Sequence, residues 1–438
     1  MLIPSLDLMG GKAVQLVGGR TKILEVDDVL GLAERWRVYG ELAVVDLDAA
    51  LGRGDNLGLV KELCGVARCR VGGGVRSAER AHELLRAGAA KVIVGTAASE
   101  DLLARIPKER ALVAVDQRAG RLQREGWRED DPEAPLARVA RLAPLCGGFL
   151  MTVVDREGRL EGVDWDAARA VRAATAVPVV YAGGVTTVED VVRLDAMGLD
   201  AQVGMALYRG LMDPAEAFLA CLAWEKQGGL IPAAVQDEAG RLRMVAYQSR
   251  ESLARALREG KGIYWSRSRG ELWEKGATSG HVQVLLRAEA DCDRDVLRLL
   301  VRQEGPTCHT GAATCFGEAD FSLQDLEATL LNRKHGAAPG SYTARLFTED
   351  GLLAAKLREE AEELICAETP DAIVWEAADL LYFLMARLAQ GGVRLDQVLR
   401  ELERRRKTDA RKPGARKPGN AKTPVDRTPQ GGTPCSKA

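Results

Sequence analysis

The chain has 438 residues, a formal net charge of −2 and 46% hydrophobic residues. This balance is typical of a globular protein and predicts neither nucleic-acid nor membrane partners. The first residues, MLIPSLDLMGG, lack the basic flank of a signal peptide, and no segment approaches the roughly 20 apolar residues of a transmembrane helix. Nine cysteines without framework spacing indicate reduced thiols. We therefore expect a cytoplasmic protein of several domains.

Eight short apolar segments in the first 224 residues alternate with amphipathic stretches, as in a parallel α/β fold. In chain order the segments are LIPSLDL, LAVVDL, CRVGGG, KVIVG, ALVAVD, FLMTVVD, VPVVYAGG and DAQVG. Eight such strand–helix units in this length predict a (β/α)₈ TIM barrel over residues 1–224.

The barrel segment contains an internal repeat. Residues 71–97 resemble residues 181–206, and the segments that hold Asp7 and Asp116 show a similar offset of about 110 residues. The two aspartates should therefore lie on opposite sides of one mouth, where they can serve as general base and general acid. Glycine turns before helix N-termini predict phosphate binding at both ends of a substrate. The residues of these turns are Gly73, Gly74, Gly95, Thr96, Gly183, Gly184 and Gly204.

Over about residues 1–222 the chain resembles phosphoribosylformimino-aminoimidazole carboxamide ribotide isomerase. Asp7, Asp116 and Thr152 match catalytic positions of that family, and REGWRED (124–130) matches its substrate loop around Trp127. The resemblance implies an Amadori rearrangement from aldose to ketose. In this reaction Asp7 would be the base and Asp116 the acid, with Thr152 assisting.

Three departures from that family concern the same barrel. Gln15 stands where the family usually has Arg, Val153 follows Thr152 where an acidic residue is usual, and the first loop (18–26) is short. These departures leave open a non-catalytic binding or assembly module, whereas the presence of Asp7 and Asp116 favours catalysis. The cyclase with a related barrel is a poorer fit, because the loop around Trp127 resembles the isomerase.

Residues 225–322 have the pattern of a small α+β domain, with strands predicted in GRLRMVAYQS, KGIYWSRS and HVQVLLRAEADCD. Within ADCDRD (290–295), an extended backbone would place Asp291, Asp293 and Asp295 on one face and Cys292 on the other. Carboxylates suit Mg²⁺ and thiolates suit Zn²⁺, so the segment predicts two metals. The alternative is a solvated acidic turn beside a buried thiol.

Downstream, GPTCHTGAATCFG adds Cys308 and Cys315. Three thiolates with Cys292 and an open fourth position describe a catalytic zinc that activates water, and His309 could move the proton. A structural role for His309 remains open.

WEKGATSG, DCDRD and GPTCHTGAATCFG resemble the signatures of phosphoribosyl-AMP cyclohydrolase over about residues 225–320. The resemblance implies zinc at the cysteines, Mg²⁺ at the aspartates and hydrolysis of the N1–C6 bond of the adenine ring. It also implies a homodimer, since family zinc sites are shared between two chains. His281 stands where that family usually has Asn.

Residues 323–406 are helical in pattern, and LREEAEELICAE and AIVWEAADLLYFLMARLAQ predict an antiparallel pair. Each helix carries two carboxylates at i and i+3, on one face. These are Glu360, Glu363, Glu376 and Asp379. Together they predict a Mg²⁺ site suited to pyrophosphate, which Lys356 and Glu359 could complete.

With SYTARLF (341–347), the acidic pattern resembles phosphoribosyl-ATP pyrophosphohydrolase over about residues 323–406. The resemblance implies phosphoribosyl nucleotides as substrates and release of pyrophosphate. The alternative for this segment is a generic nucleotide hydrolase. The final segment, 407–438, contains ARKPGARKPG and predicts disorder.

Overall fold

The computed structural model describes residues 1–317, 321–336 and 341–407. It forms two compact units, which divide between residues 319 and 320. The segment predicted to be disordered, 407–438, lies outside the described residues apart from Lys407, which ends the last helix. Among the described residues, no helix has both the length and the apolar character needed to cross a membrane.

The first part of the first unit contains twelve strands. They are β1 (Leu2–Met9), β2 (Lys12–Val17), β3 (Thr21–Val26), β4 (Glu41–Asp46), β5 (Arg68–Gly72), β6 (Lys91–Val94), β7 (Ala111–Arg118), β8 (Arg121–Arg124), β9 (Glu129–Asp130), β10 (Gly148–Val153), β11 (Val179–Ala182) and β12 (Leu199–Val203).

Eight of these strands pair in parallel as a closed barrel, in the order β1-β4-β5-β6-β7-β10-β11-β12, with β12 returning to β1. The predicted (β/α)₈ barrel is thus confirmed, and each predicted apolar segment overlaps one barrel strand. The barrel interior is filled by a layer of eight small and branched side chains. They are Ile3, Ala43, Ile93, Leu112, Ala114, Leu150, Val180 and Ala182.

Ten helices accompany the barrel strands. They are α1 (Val29–Trp36), α2 (Leu47–Leu51), α3 (Leu57–Val66), α4 (Ala78–Ala87), α5 (Glu100–Ala104), α6 (Pro135–Leu142), α7 (Trp165–Ala174), α8 (Val188–Ala196), α9 (Met205–Tyr208) and α10 (Pro214–Ala220). Helix α8 begins with a capping box between Thr187 and Asp190, which satisfies backbone N–H groups of its first turn.

The segment 18–26, interpreted from sequence as a short loop, is mostly strand. β2 and β3 pair as an antiparallel hairpin that continues from β1. Gly18 and Gly19 form its turn with φ of +59° and +69°, conformations that glycine adopts without steric cost. Backbone pairing with β2 makes this segment a strand, although most of the side chains of β3 are exposed.

The second part of the first unit is a six-stranded sheet in the order β16-β15-β14-β13-β18-β17. Its strands are β13 (Ile231–Gln236), β14 (Leu242–Gln248), β15 (Ile263–Ser266), β16 (Glu271–Glu274), β17 (Gln283–Ala290) and β18 (Leu297–Gln303). Helix α11 (Arg250–Glu259) joins β14 to β15 and buries Leu253 and Leu257. Each of the three strands predicted here is present, but the third ends at Ala290, before the predicted ADCD end.

The second unit is helical. Its helices are α12 (Leu323–Gly336), α13 (Tyr342–Thr348), α14 (Leu352–Cys366), α15 (Pro370–Gln390) and α16 (Leu395–Lys407). Its core is formed by apolar side chains from all five helices. The buried members are Leu330, Leu346, Leu353, Phe383, Met385, Ala386, Ala389 and Leu395.

The cysteines of the described residues are mostly free thiols, as at Cys64, Cys69 and Cys146. The expectation of reduced thiols is wrong for Cys366, which is disulfide-bonded. This residue lies exposed at the C-terminal end of α14.

Candidate functional sites

A cavity of about 670 Å³ opens at the carboxyl ends of the barrel strands. The catalytic candidates Asp7, Asp116 and Thr152 line it, and so does Trp127 of the substrate loop. The predicted phosphate-turn residues line the same cavity: Gly73, Gly74, Gly95, Thr96, Gly183, Gly184 and Gly204. The two halves of the repeat therefore contribute to one mouth.

The two halves of the repeat have a glycine in the same backbone conformation at this mouth. Gly73 and Gly183 both have φ of +99°. A Cβ atom at Gly73 would lie 2.1 Å from the carbonyl oxygen of Asp46, and one at Gly183 would lie 2.4 Å from that of Val153. Both positions therefore require glycine, because any side chain would collide with the neighbouring strand end.

Asp116, Thr152 and Trp127 form one group on the cavity wall. Thr152 pairs with Asp116 across the neighbouring strands β10 and β7. Burial raises the pKa of Asp116, while hydrogen bonds with Trp127 and Thr152 act in the opposite direction. Trp127 has φ of +65°, and its indole ring covers Gly19, where a Cβ atom would lie 2.4 Å from the ring. Any larger residue at position 19 would displace the tryptophan.

Asp7 faces a carboxyl group that the sequence interpretation missed. Ser5 Oγ donates a 3.3 Å hydrogen bond to Asp7, and burial raises the pKa of Asp7 to about 6. Glu157 lines the same cavity, and its Oε2 accepts a 3.2 Å hydrogen bond from the N–H of Gly19. Burial, with Asp7 as a further cause, raises the pKa of Glu157 to about 8. Its only sequence signal is its position shortly after the barrel strand that carries Thr152.

The two single-residue departures in the barrel, Gln15 and Val153, have different structural consequences. Gln15 is buried, donates a 3.0 Å hydrogen bond to Val14 O, and lies against Gly204 of a phosphate turn. This wall of the cavity is therefore neutral where an arginine would be charged. Val153 is 4% exposed and packs in the outer core rather than lining the cavity. An acidic side chain at position 153 is thus not missing from the mouth.

In the six-stranded sheet, the carboxylate loop, residues 291–295, follows the end of β17. The prediction that these residues are extended is wrong, because they form a turn between β17 and β18. The turn nevertheless brings ligand oxygens of Asp291, Asp293 and Asp295 within 4.8 Å of one another. Lys226 Nζ lies 2.8 Å from Asp293 and 3.9 Å from Asp295, so the loop already holds a positive group.

Cys308 and Cys315 lie together, but Cys292 is not near them within one chain. The Cys308 thiol lies within hydrogen-bonding range of Cys315. Cys292 follows Ala290, which pairs with Leu297 at one end of the β17–β18 hairpin, whereas Gln283 pairs with Gln303 at the other end. Seven residues of strand separate these ends by about 24 Å, and Cys308 comes after the far end. One chain therefore supplies two thiols at one place and the third elsewhere.

The thiol pair has polar neighbours. Thr310 Oγ1 donates a 3.1 Å hydrogen bond to Cys308 Sγ, and this contact lowers the pKa of Cys308. His309 Nδ1 lies 3.8 Å from the same sulfur, and its side chain is exposed. Burial lowers the pKa of Lys275, whose ammonium group is close enough to both cysteines to interact with them. His281 packs beside Gly305, where a Cβ atom would lie 2.3 Å from its Nδ1.

In the helical unit, α14 and α15 bring carboxylates together. Ligand oxygens of Glu360, Glu376 and Asp379 lie within 4.8 Å of one another. Glu360 also belongs to a second group with Glu359 and Glu363 on its own helix. Burial and the nearby charges of Glu360 and Glu376 raise the pKa of Glu363.

Lys356 and Phe383 enclose one side of this carboxylate group. Lys356 Nζ lies 2.9 Å from both Glu359 and Glu360 and 5.6 Å from the centre of the Phe383 ring. Glu360 is only 4% exposed. By contrast, two apolar residues that flank the carboxylates of α15 are exposed: Val374 by 69% and Trp375 by 72%.

Comparison with known proteins assigns a family to each part of the chain. Residues 1–213 match the family model described as histidine biosynthesis protein. Residues 244–317 match phosphoribosyl-AMP cyclohydrolase, and residues 323–406 match phosphoribosyl-ATP pyrophosphohydrolase.

Curated relatives align with less than half of this chain. A histidine biosynthesis trifunctional protein of Neurospora crassa is 48% identical over 179 residues, which cover 41% of this chain and 20% of the relative. The histidine biosynthesis bifunctional protein his7 of Schizosaccharomyces pombe is 46% identical over 194 residues, covering 43% of this chain and 46% of the relative. The chain thus spans less than half of the length of these two fungal relatives.

A shorter relative is aligned almost completely. The histidine biosynthesis bifunctional protein HisIE of Pyrococcus furiosus is 40% identical over 206 residues, which cover 44% of this chain and 99% of the relative. The corresponding protein of Halalkalibacterium halodurans is 42% identical over 93% of its own length. With these two matches and the three family models in their order, the chain belongs to the HisIE family of histidine biosynthesis bifunctional proteins and carries a histidine biosynthesis barrel in front of it.

Proposed function

We propose that the chain catalyses three consecutive steps of histidine biosynthesis, with one site in each of its three parts. The helical part would hydrolyse phosphoribosyl-ATP to phosphoribosyl-AMP and pyrophosphate. The six-stranded sheet would open the adenine ring of phosphoribosyl-AMP, and the barrel would isomerise the resulting aldose to a ketose. The observation that carries this proposal is the presence of three separate clusters of reactive side chains, each within a segment that matches a family of the same pathway.

For pyrophosphate release, Glu360, Glu376 and Asp379 fit a Mg²⁺ ion, because their oxygens form the hard ligand set that this ion prefers. When bound, Mg²⁺ would neutralise charge on the departing pyrophosphate. Lys356, held by Glu359 and Glu360, would contribute a second positive charge toward the phosphates. A generic nucleotide hydrolase would use the same groups but would also cleave ordinary nucleoside triphosphates.

For ring opening, the thiols fit zinc if two copies of the chain combine. Cys308 and Cys315 would come from one copy and Cys292 from the other, so we propose a homodimer through this domain. Zinc bound there would supply Lewis-acid activation of water. Thr310 would stabilise the Cys308 thiolate through its hydrogen bond, and His309 would hold and transfer a proton. The Asp291, Asp293 and Asp295 carboxylates would hold Mg²⁺.

For the isomerisation, Asp7 is proposed as the base and Asp116 as an acid. Asp7 ionises near neutral pH, as a base at this pH requires. Thr152 would orient Asp116 through their hydrogen bond, and Trp127 would cover the substrate. Glu157, whose carboxyl is protonated below about pH 8, is a second proton donor in the same cavity.

A barrel that binds but does not catalyse is the alternative, and one observation favours it. The side chain beside Gly204 is the neutral Gln15, whereas the arginine that is usual in the isomerase family would add a positive charge at this phosphate turn. The grouping of Asp7, Asp116 and Glu157 around one cavity favours catalysis, because buried carboxyl groups are costly to retain without use.

A product series from phosphoribosyl-ATP tests the complete proposal. The purified full-length protein, supplied with Zn²⁺ and Mg²⁺, would be given phosphoribosyl-ATP and followed by chromatography. We expect phosphoribosyl-AMP, then the ring-opened aldose, then the ketose. Hydrolysis of ordinary nucleoside triphosphates at a comparable rate would instead support the generic hydrolase. Accumulation of the aldose without ketose would support the non-catalytic barrel.

A further inference from the structure

The carboxylate loop (291–295) lies against the floor of the barrel, at the amino ends of the barrel strands. Arg294 Nη2 lies 2.8 Å from Asp195 Oδ1 at the end of α8. The N–H of Ala223, in the segment that leaves the barrel, donates a 2.9 Å hydrogen bond to Arg294 O. Lys226 Nζ donates a 3.0 Å hydrogen bond to the carbonyl oxygen of Asp293. The loop is thus held by the barrel and by the connection between barrel and sheet.

Arg294 has an unusual backbone conformation for its residue type. Its φ is +66°, in the left-handed region that residues with a Cβ atom rarely adopt. Such a conformation persists only where surrounding contacts impose it. Arg294 has these contacts on both sides, because its guanidinium binds Asp195 and also lies 3.4 Å from Asp291 O. The conformation turns the chain between Asp293 and Asp295, so that both carboxylates can face Asp291.

We propose that Arg294 is a positioning residue for the ring-opening site, and that Asp195 of the barrel floor holds it in place. The ion pair between them would maintain the turn that gathers Asp291, Asp293 and Asp295. The barrel would then be a structural part of the ring-opening site, whether or not it isomerises a substrate. The catalytic consequence rests on the proposed cyclohydrolase function, whereas the effect on the loop does not.

The surroundings of this ion pair make it more than a surface contact. The side chain of Asp195 is 12% exposed and that of Arg294 is 29% exposed, so solvent screens the pair less than an exposed one. Asp195 also lies 2.6 Å from the amino group of Met1, which neutralises part of its charge. Asp200 lies 3.0 Å from the same amino group but has no contact with Arg294 among those of the described residues.

This arrangement offers a matched pair of variants, Asp195→Asn and Asp200→Asn. Both weaken the contact with the amino group of Met1, but only Asp195→Asn removes the partner of Arg294. The probe is Mn²⁺, followed by electron paramagnetic resonance in the full-length protein. A Glu360→Gln, Glu376→Gln background removes at least one carboxylate from each of the two carboxylate groups of the helical unit. We expect Asp195→Asn to weaken Mn²⁺ binding about tenfold or more, as loss of a residue that orients metal ligands commonly does. Asp200→Asn should leave it unchanged.

Hydrogen exchange of the metal-free protein gives a readout that is independent of metal and of activity. Amides of residues 291–296 should exchange faster in Asp195→Asn than in the wild type and in Asp200→Asn. Wild-type Mn²⁺ affinity together with wild-type exchange in Asp195→Asn would overturn the proposal. Equal effects of the two asparagine variants would also overturn it, because anchoring of the chain start would then explain both.

Arg294→Gly provides a second variant should Asp195→Asn fail to fold. Glycine accepts the positive φ, so this change removes the guanidinium without adding backbone strain. We expect the same loss of Mn²⁺ affinity, with no further loss in the Arg294→Gly, Asp195→Asn double variant. Additive losses would show that Arg294 and Asp195 do not act through one ion pair. If the wild type does not open the adenine ring, the proposed function fails, while Mn²⁺ binding and exchange still decide whether the ion pair of Arg294 and Asp195 holds the carboxylate loop.

Discussion

Asp7 and Glu157 face the same barrel cavity, and the carboxylate of Asp7 contributes to the raised pKa of Glu157. Burial is the larger cause, and the pKa of Glu157 reaches about 8, whereas that of Asp7 is about 6. Near pH 7 the cavity therefore holds an ionised Asp7 and a protonated Glu157. Such a difference between two neighbouring acids assigns one to accept a proton and the other to donate one.

The pH dependence of isomerisation follows from this pair. We expect kcat/KM for the aldose to rise through pH about 6 as Asp7 ionises, and to fall through pH about 8 as Glu157 loses its proton. Because the two carboxyl groups interact, the apparent pKa values of the rising and falling limbs of the pH profile describe the pair and not either residue alone. Initial rates from pH 5 to pH 9.5 measure both limbs. Glu157→Gln should remove the upper limb, and an unchanged upper limb in this variant would assign it to another group.

The same carboxyl group should reduce stability at high pH. The folded-state pKa of Glu157, about 8, lies above its ordinary value of 4.5. The protonated carboxyl group therefore makes its full contribution to the free energy of unfolding below about pH 4.5. That stability is lost as the pH rises through about 8. Glutamine carries no charge, so Glu157→Gln should stabilise the barrel at pH 8 by about 2 kcal/mol, allowing for solvent screening.

Thermal unfolding at pH 5 and pH 8 measures this effect, and the gain should be larger at pH 8. Glu125→Gln is the control, because Glu125 lines the same cavity but is exposed. A gain of equal size at both pH values, or in the control, would show that ionisation of Glu157 is not the cause.

Separate sites for the two hydrolytic steps predict a selective effect of Cys308→Ser. Loss of this thiol should reduce ring opening by at least about 100-fold, because one of the three proposed zinc ligands would be removed. Release of pyrophosphate from phosphoribosyl-ATP should persist. Cys64→Ser, which changes a thiol of the barrel part, should leave both reactions unchanged. Parallel loss of both activities in Cys308→Ser would argue against separate sites.

The converse selectivity is expected in the helical unit. Glu376→Gln should reduce pyrophosphate release by at least about 100-fold, because it removes one of three grouped carboxylates. Ring opening of added phosphoribosyl-AMP should continue at the wild-type rate. Glu362→Gln, on the neighbouring helix but outside the grouped carboxylates, is the control. Pyrophosphate release that survives Glu376→Gln would place the metal site elsewhere.

The barrel could be predicted from the sequence because its parallel strands are buried on both faces and read as continuous apolar segments. The glycine turns could be found because the repeat presents them twice. The hairpin at residues 12–26 was missed, since a short exposed strand such as β3 has little apolar signal.

The carboxylate loop shows a correct choice of residues with an incorrect geometry. Alternation along a strand predicted a common face for Asp291, Asp293 and Asp295, but a turn gathers them instead. Nothing in the local sequence indicates that turn, because Arg294 depends on Asp195, 99 residues earlier in the chain. Glu157 was missed for a related reason: only the closed barrel brings it to Asp7.

The central claim is that the barrel isomerises the aldose although Gln15 replaces the arginine that is usual in the isomerase family. One assay tests this claim directly. Purified protein would be given the ring-opened aldose, and formation of the ketose would be followed by chromatography in the wild type and in Asp7→Asn. Turnover in the wild type that falls by at least about 1,000-fold in Asp7→Asn, as expected for loss of a general base, would establish the barrel as an isomerase. An absence of ketose from the wild type, in protein that still opens the ring of phosphoribosyl-AMP, would contradict it and leave the barrel as the support of the carboxylate loop.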